Sequence, residues 1–100
     1  MDIEIRYFDD CPNWQRTQAL VLEVLDELGV EATVATRPVE THEEAIALEF
    51  RGSPTVLVDG EDPFLNPDSP VGLTCRIYRT DQGMAGSPTA AQLRANLAGR

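Results

Sequence analysis

Hydrophobic and polar positions alternate from Asp2 to Phe8, with Ile3, Ile5 and Tyr7 set against Glu4 and Arg6. That is the period of a half-buried strand. From about Trp14 to Leu28 the period changes. Leu20, Val21, Val24, Leu25 and Leu28 form one wide apolar stripe, Asp26 and Glu27 mark the wet face, and Gly29 supplies the stop. A second strand is expected at about Glu31 to Thr36, on Ala32, Val34 and β-branched threonines, and Arg37-Pro38 breaks it. Thr41 and Glu44 make a capping-box pattern that opens a short helix through Ala45, Ile46, Ala47 and Leu48, ending near Gly52.

Gly52-Ser53-Pro54-Thr55-Val56-Leu57-Val58-Asp59-Gly60 reads as turn, strand, turn. Val56-Leu57-Val58 is apolar without alternation, which predicts burial on both faces and hence a central strand. The segment from Glu61 to Leu73 is polar, holds Pro63, Pro67 and Pro70, and forms the long loop, with Phe64 or Leu65 as its anchor. Cys75 to Tyr78 reads as a short edge strand. Ser87-Pro88 starts a last helix, with Thr89 and Gln92 as an alternative capping pair, Leu93 and Leu97 facing inward and Gly99 ending it. The expected architecture is therefore one α/β domain over residues 1–100, ordered β-α-β-α-β-β-α, with a four-stranded mixed sheet and helices on both faces.

A net charge of −9 disfavours nucleic acid and anionic lipid as partners. All eight basic residues are arginine, so lysine Schiff-base chemistry is excluded for this chain. No run approaches the roughly 20 apolar residues of a membrane span. The acidic start does not resemble a signal peptide, and the two cysteines are too few for a secreted disulfide framework. A cytoplasmic location is the expectation, with no cofactor and a monomer or weak dimer.

Cys11 stands at the joint between the first strand and the long helix, and Pro12 suits the first helical position. A sulfur at a helix N-terminus is favoured as the thiolate, the form that attacks disulfides and binds soft metals. Asp9 and Asp10 oppose this, and Arg16 one turn on offsets them. The competing reading is a buried cysteine packing as a small hydrophobe. Trp14 is open to three roles: shielding the thiol or stacking on a ligand, anchoring the core, or touching a partner. His42 falls in a first helical turn and reads as solvated. Asp59, Glu61, Asp62 and Asp68 do not have calcium-loop spacing and read as solvated turn residues.

The element order, the cysteine at the first strand–helix joint and Ser53-Pro54-Thr55 before the third strand together resemble the thioredoxin superfamily. More narrowly, Cys11-Pro12-Asn13-Trp14, Gly52-Ser53-Pro54-Thr55 and Gly72-Leu73-Thr74-Cys75-Arg76-Ile77-Tyr78-Arg79-Thr80 are similar to a group of small bacterial thioredoxin-like proteins, some labelled alkylmercury-lyase-like. The resemblance implies a cis bond before Pro54, a nucleophilic role for Cys11, and a partner segment pairing with the backbone before that proline. Trp14 stands where dithiol thioredoxins have their second cysteine, so the implied chemistry is monothiol. Cys75 is the remaining candidate for a resolving thiol. An antiparallel fourth strand places it five steps from the active edge, about 16 Å, against the Cα separation of about 7 Å that a disulfide tolerates. Cys75 is therefore expected to be a packing residue, with the resolving role open if the 61–73 loop folds back or if the last strand starts later in the chain.

The function expected from these residues is thiol–disulfide exchange or mixed-disulfide formation at Cys11, with a protein or a low-molecular-weight thiol or disulfide as partner. Pro12, Asn13, Trp14, Ser53, Pro54 and Thr55 would support it. Two alternatives stand beside it: a non-catalytic binding module that keeps the fold, and capture of mercury or copper by the thiolates. No residues are assigned as a preformed metal site.

Overall fold

A computed structural model describes residues 1–98. Gly99, the expected end of the last helix, lies outside the described residues. The elements run β1 (Asp2–Tyr7), α1 (Asn13–Leu28), β2 (Thr33–Pro38), α2 (His42–Ala47), β3 (Thr55–Val58), β4 (Tyr78–Thr80), β5 (Gly83–Ala85) and α3 (Ala90–Leu97). The result is an α/β domain with three helices and two sheets among the described residues.

The sheet order is β2-β1-β3, with β1 parallel to β2 and antiparallel to β3. Ile3 sits opposite Val58 and Ile5 opposite Val56. These four, buried with Val21, Val24, Leu25, Leu93 and Leu97, form the main core between the sheet, α1 and α3. Local chemistry sets the helix ends as the sequence implies. Gly29 closes α1 in the left-handed conformation at φ 64°. The Thr41 side chain accepts from the Glu44 N–H at 3.1 Å. Thr89 and Gln92 complete a reciprocal capping box, so α3 opens at Thr89 rather than at Ser87-Pro88.

The expected four-stranded sheet does not form. β4 pairs with β5 in a separate hairpin instead of with β3. The two strands are joined by a tight turn with Gly83 at φ 98°, so pairing them closes a very short loop. β3 is consequently an edge strand and β1 the central one. Its apolar run reads as doubly buried because the covering of its second face is irregular. Thr55 lies under Arg76, which donates to its hydroxyl at 3.3 Å, and Leu57 is half-buried.

Helices do not cover both faces either. α1 and α3 pack together over the core face, whereas the face carrying Glu4, Arg6, Ala35 and Leu57 is an open groove of about 350 Å³. α2 packs beyond the end of the sheet. Ala45 joins Val39 and Phe50 in a second small core with Phe8, Leu48, Val71 and Leu73 against it. That satellite core draws the long loop back across the end of the sheet.

Candidate functional site

The return of the 61–73 loop is written in backbone hydrogen bonds. Gly72 N–H donates to Phe50 O at 3.0 Å, Ser53 N–H to Thr74 O at 2.8 Å, and Arg76 N–H to Ser53 O at 2.8 Å. The last two make Cys75 the parallel bridge partner of Ser53. Gly52 permits the approach. It has φ 110°, and a Cβ there would stand 2.9 Å from Arg76 Cβ and 3.0 Å from its Cα.

Cys75 is thereby brought to Cys11, and the two form a disulfide with a Cα separation of 5.8 Å. The expectation that Cys75 lies out of reach is overturned. It assumed that Cys75 belongs to a strand running antiparallel from β3. The strand starts only at Tyr78, and residues 72–76 run beside residues 50–53 instead. The monothiol reading gives way with it: the second sulfur comes from the loop, not from the position of Trp14.

The two cysteines differ in exposure. Cys11 is 0 % exposed, held between the sheet end and α1. Cys75 is exposed. Ser53 O lies 3.5 Å from Cys11 Sγ, and Asn13 Nδ2 approaches the same sulfur at 3.9 Å. Pro12 caps α1 through its backbone only and is itself exposed. Asn13 is seated by Gly86, where any Cβ would overlap its amide. Thr17, one turn on, shares a 2.8 Å hydrogen bond with Ser87 and ties this end of α1 to the start of α3.

The Ser53–Pro54 peptide bond is cis, the isomer implied by the resemblance. Pro54 is buried, and its carbonyl accepts from the Tyr78 hydroxyl. The Ser53 backbone, expected to receive a partner segment, is already occupied on both its N–H and its C=O by residues 74 and 76. Its hydroxyl is buried and makes no hydrogen bond among the described residues. Thr55 Oγ1 donates to Gly52 O at 2.7 Å and so braces the turn before β3. Trp14 stacks on Tyr7 with ring centroids 4.0 Å apart and packs against the main core, which gives it the anchoring role among the three held open.

Three residues near the site carry weight that the sequence did not assign them. Arg76 is buried and pairs with Asp62 at 2.7 Å, so Asp62 is no solvated turn residue. Arg76 also donates to Phe64 O and lies 4.7 Å over the Tyr78 ring. Burial pushes the Tyr78 phenol well above its ordinary value; the Arg76 charge opposes the shift and Asp62 adds to it. The signal for Arg76 was a charged residue within an otherwise strand-like run, which calls for a buried partner.

Among the described residues, no three His, Cys, Asp or Glu side chains cluster as metal ligands, and His42 is exposed. No described helix is long and apolar enough to cross a membrane. Fold and site together define a small α/β domain with a disulfide between the N-terminal end of a helix and a returning loop. Comparison with protein-family models, with curated proteins and with solved structures finds no match to this chain.

Proposed function

We propose that this protein is a thioredoxin-like thiol–disulfide exchange protein whose working pair is Cys11 and Cys75. The observation that carries this reading is the pairing of a buried cysteine at a helix N-terminus with an exposed cysteine beside a buried cis X-Pro. A purely structural staple gains nothing from exposing one of its cysteines. An exchange disulfide requires it, because the incoming thiolate must reach a sulfur. The cytoplasmic setting suggested by the sequence fits the same reading, since disulfides there are mostly transient and catalytic or redox-sensing.

In the exchange, two thiols of a partner become a disulfide as the Cys11–Cys75 bond takes up two electrons and two protons. The reverse direction reduces a partner disulfide. The test is incubation of the native, oxidised protein with dithiothreitol, followed by alkylation and intact-mass measurement. Exchange predicts that dithiothreitol acting on the folded protein reduces both cysteines, read by alkylation in denaturant after the reductant is quenched, and that the disulfide re-forms with oxidised glutathione. A disulfide that opens only in denaturant sinks the proposal.

A further inference from the structure

Resting on that reading, the geometry points to Cys75, not Cys11, as the sulfur that exchanges with the partner, with Cys11 as the buried leaving and resolving sulfur. This reverses the roles expected from the cysteine at the strand–helix joint.

Disulfide exchange is an in-line displacement, so the attacking thiolate approaches one sulfur from the side opposite the other. Attack on Cys11 Sγ would bring the nucleophile in from the far side of a residue that is 0 % exposed. Cys75 is an exposed residue, so the corresponding attack on its sulfur is the one open to a partner. Its neighbours Thr74 and Arg76 make the bonds to Ser53, and the Cys75 N–H and C=O bond to no other backbone group among the described residues. Ile77, two residues on, is 65 % exposed.

The chemistry of the leaving group agrees. Attack on Cys75 forms the partner–Cys75 disulfide and expels Cys11 with the electron pair of the broken bond. Cys11 is then a thiolate at the N-terminal end of α1, a 16-residue helix, with the Asn13 amide at 3.9 Å. A proton taken from solvent returns it to a thiol, for which Ser53 O at 3.5 Å is the acceptor. A second partner thiolate attacking the mixed disulfide then releases the oxidised partner and leaves Cys75 reduced. Expulsion of Cys75 instead would deliver the charge to a sulfur with no donor from the protein among the described residues.

Glutathione is the probe. Oxidised protein is mixed with reduced glutathione, quenched with acid at short times, alkylated with N-ethylmaleimide in denaturant and mapped by peptide mass spectrometry. The expected intermediate carries glutathione on Cys75 and the alkyl group on Cys11; the opposite distribution overturns the assignment. Single-cysteine variants give a second readout that does not depend on the lifetime of that intermediate. Cys11→Ser, or Cys11→Ala if the serine variant does not fold, should take glutathione from oxidised glutathione roughly tenfold or more faster than Cys75→Ser. Equal rates, or a faster Cys75→Ser, overturn the assignment while leaving exchange itself in place. If exchange itself fails, the wild-type disulfide resists dithiothreitol without denaturant and neither variant is modified.

Discussion

Cys75 and Ser53 face each other as bridge partners, and both backbone bonds run between Ser53 and the neighbours of Cys75: the Ser53 N–H donates to Thr74 O, and Ser53 O accepts from the Arg76 N–H. This one register places an exposed cysteine against a buried one and joins the loop after β3 to the turn before it.

Reduction should loosen the whole domain. The disulfide closes a loop of 64 residues, and loss of that constraint on the unfolded chain is worth about 4 kcal/mol in the chain-entropy description. Urea unfolding with and without reductant should show a midpoint lowered to match. A midpoint that does not move would mean the reduced unfolded chain is already held compact.

Gly52 carries two demands, and Gly29 only one. Gly29 has φ 64° with open space around its missing Cβ, so Gly29→Ala should cost about 1 kcal/mol. Gly52→Ala adds a clash with the Arg76 backbone and should cost more than about 2 kcal/mol. The second substitution should also slow re-formation of the disulfide in oxidised glutathione buffer, and the first should not. Equal behaviour of the two variants would show that residues 74–76 need not pack against Gly52.

Asp62→Ala leaves the Arg76 charge buried with only neutral partners, and a loss of about 3 kcal/mol follows. Hydrogen exchange should accelerate across residues 62–78. Replacing Asp62 by Leu and Arg76 by Met together should restore much of the loss, because no charge is then left uncompensated.

The Tyr78 phenol sets an alkaline limit. Its folded value lies above the unfolded value near 10, so the folded state holds the proton longer. Between the two values the unfolded chain binds fewer protons, and stability falls as pH rises, by about 1.4 kcal/mol per pH unit. The contribution is fully present below pH 10 and is lost above it. Tyr78→Phe should remove this slope in a series of urea melts from pH 8 to 11, at a cost near 1 kcal/mol at neutral pH for the hydroxyl bond to Pro54 O.

Ser53→Ala is expected to be neutral or stabilising by up to about 1 kcal/mol, because the buried hydroxyl has no hydrogen bond among the described residues to lose. A clear destabilisation would show that the hydroxyl is satisfied in solution.

What the sequence determined by itself is local. The alternation of Ile3, Ile5 and Tyr7, the stripe of α1, the Gly29 stop, the caps at Thr41 and Thr89, and Cys11 at the joint of strand and helix all depend on residues within a turn or two of each other. Their periodicity and capping chemistry act before any tertiary contact forms. Tertiary structure decided the rest. Whether Thr55–Val58 is central or at an edge, whether Asp62 is solvated or paired, and whether Cys75 meets Cys11 all depend on the path of residues 61–76. That path is set by bonds to Phe50 and Ser53, by the space at Gly52 and by the satellite core around Phe50, each joining positions far apart in the chain. Strand spacing measured along a sequence assumes that the strand pairs with its predecessor. Here the short Gly83 turn made pairing β4 with β5 the nearer option, and the released segment carried Cys75 to the buried sulfur.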